Sequence, residues 1–321
     1  MIIDVHYHLV PISIPPNSPI FEEGLQEPLR VAKIMDLEVD LDILKEKASK
    51  MWSDPRGRNL IKTMDEVGID YTIVCNVDNA GNELNTPEVA QYMNKMIAKI
   101  ANKYPEKIMA LAGVDPRRPE ALKMLKQCFE EFGMKGLKYH ADNGYDPSGP
   151  ESYDLLEYLE KKNGILLTHT GPLGPHGRSK FTEPILLADI MVDFPNLKII
   201  AAHMGQINWR PWAALAALYP NLYGDLAMWA PFAFGRFDLF CRELRDIIDY
   251  VGIEKILFGS DSPIYDIVLP VKDVIEKIRN LPNTAPNGIK FTEDEINAIL
   301  GGNAAKLLGI STKTQEVLTN Y

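Results

Sequence analysis

The sequence has no stretch near the roughly 18 uninterrupted apolar residues that a membrane span requires, so no transmembrane segment is expected. Its three cysteines, Cys75, Cys128 and Cys241, are an odd number at wide spacing, which argues against a disulfide framework and fits a reducing compartment. Basic residues are in deficit. Against 44 Asp and Glu stand 34 Lys and Arg, a formal charge of −10, and a phosphate-rich partner would be repelled over most of the surface. Neither nucleic acid nor a membrane is therefore expected as a partner. No Gly-rich phosphate loop follows an early strand-like run, which argues against a doubly wound nucleotide-binding sheet. The opening Met1-Ile2-Ile3-Asp4-Val5-His6 has neither a basic n-region nor an apolar run of signal-peptide length, and a cytoplasmic location is expected.

What is present is a chain of 321 residues, 46% apolar and 24% charged, long enough for a large core. Eight short apolar runs recur: Ile2 to His8, Tyr71 to Val77, Ile108 to Asp115, Met134 to His140, Gly164 to Gly171, Lys198 to Gly205, Leu222 to Ala227 and Lys255 to Asp261. Between them, stretches such as Pro87 to Tyr104, Pro119 to Phe132 and Phe237 to Val251 space apolar residues at i, i+3, i+4, with charges opposite. Strands apolar on both parities must be buried on both faces, as in a parallel sheet wrapped by helices. Eight such units predict a (β/α)8 barrel forming one domain over 1–321. The Pro-rich 9–58 segment reads as an insertion after strand 1 that walls or covers the catalytic mouth, since βα loops lie at that end. Thr292-Glu293-Asp294-Glu295 predicts a capping box before a last helix that Gly309 stops, leaving a polar, mobile tail at 312–321.

Five of the six histidines, His6, His8, His140, His169 and His203, fall at or within two residues of the C-terminal end of a predicted strand. Strand periodicity of two points His6 and His8 to one side, with Asp4 below them. Strands 5 and 6 repeat a single design, an apolar run ending in His-x-Gly at His169-Thr170-Gly171 and His203-Met204-Gly205, and strand 8 ends in Gly259-Ser260-Asp261-Ser262-Pro263. In a closed barrel, His6, His8, His169 and Asp261 surround the top of the axis. Three imidazoles and one carboxylate suit one divalent metal, with water completing the shell. His176, in Gly174-Pro175-His176-Gly177-Arg178, reads as part of a mobile loop.

On these motifs, together with Gly136-Leu137-Lys138-Tyr139-His140 and Ile299-Leu300-Gly301-Gly302-Asn303-Ala304-Ala305-Lys306-Leu307-Leu308, nearly the whole chain resembles the amidohydrolase superfamily. The resemblance is to its branch of small metal-dependent hydrolases and decarboxylases that includes aminocarboxymuconate semialdehyde decarboxylase. It implies a distorted barrel holding a metal, usually Zn2+, with Mn2+, Fe2+ or Co2+ as alternatives, on His6, His8, His169 and Asp261. It also implies that His203 stands beside a metal-bound water as acid or base, that Asp261 doubles as ligand and proton acceptor, and that the chain forms a homodimer. Binuclear members of the superfamily carry a carboxylated lysine at the end of strand 4. Here Lys138 and His140 share one parity there, and His140 is outermost, which favours one metal.

His140, Trp209, Arg210 and Trp229 are expected to contact substrate, the aromatics forming a flat pocket for a ring, with Arg210, or Arg56 and Arg58, pairing a carboxylate. An oligomer interface accounts for the same aromatics equally well. The expected partner is a small-molecule substrate, a cyclic or aromatic acid, ester, lactone or amide, and the first expectation is hydrolysis by a metal-activated water. Nonoxidative decarboxylation is the alternative, and a metal-binding barrel without turnover is a third. Hydrolysis is preferred because Asn208-Trp209-Arg210-Pro211-Trp212 departs from the Pro-Phe-like segment of decarboxylating relatives.

Overall fold

The structure, a computed structural model, describes residues 1–16, 18–172 and 177–311. His176 and the expected tail at 312–321 lie outside the described residues. The eight apolar runs form the strands β1 (Ile3–His8), β2 (Tyr71–Cys75), β3 (Ile108–Gly113), β4 (Gly136–Tyr139), β5 (Ile165–His169), β6 (Lys198–Ala202), β7 (Leu222–Asp225) and β8 (Ile256–Leu257). They are parallel and lie side by side in chain order. Backbone hydrogen bonds from Val5 N to Phe258 O (3.0 Å), Asp261 N to His6 O (2.9 Å) and His8 N to Ser262 O (2.7 Å) join the two ends of the sheet. The protein is a (β/α)8 barrel.

Two-residue periodicity divides the strand side chains between two cores. Ile73, Cys75, Leu111, Leu167, Ile200 and Leu257 meet one another, which strands from all round the sheet can do only inside it. The other parity, including Val74, Leu137, Leu166 and Ile199, packs on helix residues such as Leu125, Leu156, Ile190 and Leu244. The helices start where the local chemistry favours it: Thr86 caps Pro87–Ala101 through the N–H of Val89, and Thr292 and Glu295 form a reciprocal capping box. Ala304, Ala305 and Leu307 of the last helix, Asn303–Leu308, join the inner core, and Asn303 Nδ2 donates to Ile253 O and Ile256 O (both 2.8 Å). This small-residue segment thus closes the inner core at the end where the strands begin, and a Cβ at Gly301 would lie 2.6 Å from Met1 O, which accounts for glycine there.

The insertion forms helices Pro19–Gly24, Gln26–Ile34 and Leu41–Met51. Phe21, Leu25, Leu44, Ala48 and Trp52 enclose Ile267 from the loop after β8, while Val31 packs on Met228 and Tyr265. The insertion therefore builds on the loops that follow β7 and β8, at the end of the barrel where the strands terminate.

Candidate metal centre

Simple alternation does not describe β1. Its register with β2 slips between Asp4 and Tyr7, so Val5 and His6 together face one residue. Ile3 and Val5 lie in the inner core, and Asp4 does not sit below the histidines in the way the periodicity suggests. Its buried carboxylate accepts from the backbone N–H groups of His6 (3.1 Å) and Ser260 (2.9 Å) and from Ser260 Oγ (2.6 Å), and burial pushes its pKa up to about 7. The bulge lets both imidazoles reach the mouth, where their Nε2 atoms are 3.1 Å apart. Asp261 Oδ1 lies 3.1 Å from His8 Nε2 and 3.5 Å from His6 Nε2.

The next strands add a second histidine pair. His169 Nδ1 is 3.0 Å from His203 Nε2, and His203 Nδ1 is 3.0 Å from the carbonyl of Ala227. The carbonyl can only accept, so Nδ1 of His203 carries the proton and its Nε2 accepts from Nδ1–H of His169. That leaves His169 Nε2 as a bare lone pair, buried and without a hydrogen-bond partner among the described residues. The His-x-Gly design follows from crowding: at Gly171 (φ 90°) a Cβ would lie 2.9 Å from the carbonyl carbon of Gly205, so the loops after β5 and β6 touch through glycine.

His203 (φ 67°) and Asp261 (φ 60°) occupy the left-handed region, a strain of about 1–3 kcal/mol for a residue with a Cβ. Each is held from several sides. His203 N donates to Asp225 Oδ1 (2.8 Å) and Trp229 Nε1 donates to His203 O (2.8 Å), while the backbone of Asp261 hangs on His6 O. Asp225, at the end of β7, was not singled out from the sequence. Fully buried, it accepts the Nδ1 proton of His6 at 3.0 Å and thereby fixes Nε2 of His6 as the lone-pair atom. The available signal was an acidic residue ending an apolar run, as at Asp261. Cys75 was also missed as a site residue; its Sγ lies 3.7 Å from His8 Nδ1.

These donors suit a cation. Burial drives His6 and His169 well below the ordinary imidazole range, with the Lys138 charge adding to the effect on His6 and that of His203 to the effect on His169. Burial also lowers His203. Desolvation opposes ionisation of Asp261, but His6, His8 and His203 outweigh it and hold the carboxyl well below its usual range. Neutral imidazoles and an ionised carboxylate are the states in which these groups ligate a metal. The group also attracts positive charge: Lys138 Nζ donates to His6 Nε2 at 2.9 Å. Burial lowers His8, yet Cys75 and Asp261 raise its pKa overall to about 9.

His140 joins the mouth, its ring stacked on His169 with centroids 5.0 Å apart. Of the residues expected to form an aromatic and arginine wall, Trp229 touches this group, whereas Trp209 and Arg210 are directed elsewhere. Arg210 is largely exposed, lies over the Trp209 ring and approaches Glu243 at 4.0 Å. Trp209 is buried, with Nε1 bonded to the same Glu243 on the outer helix Phe237–Val251. Both are turned onto the surrounding helices because the chain after His203 reverses through Met204, Gly205 and Gln206, all at positive φ. Trp229 supports the backbone of His203, and Arg56 and Arg58 are exposed.

An eight-stranded barrel with this histidine and carboxylate group at the ends of its strands defines the metal-dependent hydrolase type of fold. The chain belongs to the Amidohydrolase family, whose sequence profile matches residues 3–310. The 2-amino-3-carboxymuconate-6-semialdehyde decarboxylase of Dictyostelium discoideum is 23% identical over 354 residues, covering 96% of this chain and 91% of that protein. A dihydroorotase of Helicobacter pylori is 29% identical over 153 residues, covering 45% of this chain and 42% of its own. A dihydroxybenzoic acid decarboxylase from Polaromonas sp., solved with manganese and 2-nitroresorcinol bound, superposes with a TM-score of 0.65 at 17% identity, covering 98% of both chains. Among the described residues, no helix is long and apolar enough to cross a membrane.

Proposed function

We propose that this protein is a metal-dependent, nonoxidative decarboxylase of a small aromatic or muconate-like acid. The observation that carries the reading is the extent of likeness: the match to a decarboxylase spans nearly the whole chain, whereas the match to a hydrolase stops short of half. The departure at Asn208–Trp212 that favoured hydrolysis loses its weight, since Trp209 and Arg210 face the outer helices.

His6, His8, His169 and Asp261 are the residues that would hold one divalent ion, with Asp225 orienting His6 and His203 orienting His169. When bound, the ion would draw electron density from the substrate oxygens and fix the acid in place. His203 is the proton carrier in this reading: its ring lies between His6 and His169, with centroids at 5.3 Å and 4.7 Å, and its Nε2 serves as the acid once it is protonated and exchanges its bond to His169 for one to the substrate. The proton goes to the carbon that bears the carboxylate, and the bond to the carboxylate breaks with its electron pair returning to the ring or diene. Carbon dioxide leaves, and no water is added. Zinc and manganese both suit this donor set.

Incubation of the metal-loaded chain with hydroxybenzoates, esters, lactones and amides in oxygen-18 water tests the proposal. Carbon dioxide release with unlabelled organic product is expected. Label incorporation into a lactone, ester or amide product, without carbon dioxide, would restore hydrolysis.

A further inference from the structure

Beyond the metal-holding group, the mouth carries an imidazole whose orientation is set from the side opposite His203. His140, immediately after β4, has its Nδ1 2.8 Å from Asp142 Oδ1. The pair stands on a short turn, Ala141–Asn143, that is pinned at several points. The N–H of His140 donates to Tyr145 Oη (2.8 Å), that of Asn143 to His140 O (3.0 Å) and that of Arg178 to Asp142 O (2.8 Å). Asp142 is buried, and although desolvation opposes its charge, His140 holds the carboxyl below its ordinary range. An ionised carboxylate can only accept, so the proton of the neutral His140 ring sits on Nδ1 and Nε2 presents a lone pair. The ring is 5.0 Å from His169 and 5.9 Å from His8, centroid to centroid, and keeps 14% of its side chain exposed at the mouth.

We infer that His140, locked in this tautomer by Asp142, is a specificity-determining residue that accepts a hydrogen bond from a hydroxyl or amino group on the substrate. The inference rests on the proposed decarboxylation of a ring acid and narrows it to acids bearing a hydrogen-bond donor on the β4 side of the metal. On the opposite face His203 rests with Nδ1 against Ala227 O and Nε2 against His169, so outside the metal-holding group His140 is the mouth imidazole that offers substrate an open lone pair. An ether or alkyl group at the same position leaves Nε2 unpaired in a half-buried site, and sites built to bond a substrate hydroxyl reject analogues that lack it. Asp142 acts as a positioning residue: its replacement by an amide that donates to Nδ1 would move the ring proton to Nε2 and turn an acceptor into a donor.

The test uses two unreactive ring acids, 2-hydroxybenzenesulfonate and its methyl ether, 2-methoxybenzenesulfonate, titrated calorimetrically into the manganese-loaded full chain. The unchanged protein should prefer the hydroxyl compound by about 10-fold or more. In Asp142→Asn the preference should fall at least 10-fold or reverse, and in His140→Leu it should vanish, with manganese content unaltered in both. Reversal in the amide variant is a readout that simple damage to the mouth would not produce. A preference unchanged in both variants would overturn the assignment while leaving decarboxylation standing. Failure of the unchanged protein to discriminate the two compounds, or to bind either, would also overturn it, and the carbon dioxide assay then decides separately whether the proposed function survives.

Discussion

Replacing Asp225 by Asn changes one atom and should weaken metal binding by one to two orders of magnitude. Asp225 Oδ1 accepts from the backbone N–H groups of His203 (2.8 Å) and Ala227 (3.1 Å), and an amide oxygen can keep both bonds. Oδ2 faces His6 Nδ1 at 3.0 Å, and there the substitution places an NH2 group against an N–H donor. The repulsion is relieved if the His6 proton moves to Nε2, the lone-pair atom 3.1 Å from His8 Nε2. Loss of such an outer partner costs about 10- to 100-fold in metal affinity, or about 1.4–2.8 kcal/mol. The fold should hold, because no backbone donor is orphaned; in Asp225→Ala both are, at about 1–3 kcal/mol each. Competition against a chromogenic zinc chelator measures the affinity, and thermal unfolding measures stability. An Asp225→Asn affinity within twofold of the unchanged chain, at unchanged Tm, would refute the orienting role.

Three further outcomes are expected. His203→Asn should lower turnover by about 100- to 10,000-fold while metal affinity falls by no more than the roughly 10- to 100-fold that loss of an orienting partner costs; a larger loss of affinity would make His203 a ligand instead. The raised His8 pKa of about 9, against about 6.5 unfolded, stabilises the fold fully below pH 6.5 and is lost as pH rises through 9. An incoming ion must displace that proton, so metal affinity should rise about tenfold per pH unit from 7 to 9 and then level off; calorimetry in two buffers should find about one proton released per ion at pH 7, and none released would refute the coupling. Trp52→Ala removes a side chain buried against Phe21, Leu44 and Ile267 and should cost about 3 kcal/mol or more, with faster proteolysis inside 9–58; an unchanged Tm and cleavage pattern would contradict that packing.

Trp209 and Arg210 show where sequence adjacency and structure part, while Trp229 stays against the site through His203 O. Trp209, Arg210 and Trp229 follow strands that end in site histidines or acids, and adjacency in sequence suggested adjacency to substrate. Three consecutive positive-φ residues after His203 turn that stretch outward, and nothing in Met204-Gly205-Gln206 announces it except one glycine. Asp225 shows the converse. Its role depends on β7 lying close to β1 across the mouth, with Gly259 of the β8 turn so tightly between them that a Cβ there would meet His6 Cβ at 3.0 Å and Asp225 Cγ at 3.1 Å. No local pattern encodes that approach.

By itself the sequence determined the eight strands, their parallel and doubly buried character, the capping box at Thr292 and the set of strand-end histidines, because these depend on periodicity and on bonds between near neighbours in the chain. Tertiary structure alone decided the bulge that separates Asp4 from the function of His6, the tautomers that Ala227, Asp225 and Asp142 impose on their histidines, and the side of the barrel each loop faces. Those are matters of which lone pair meets which proton across strands as far apart in sequence as His6 and Asp225. A few tenths of an ångström and a single dihedral settle them, and residue spacing carries neither.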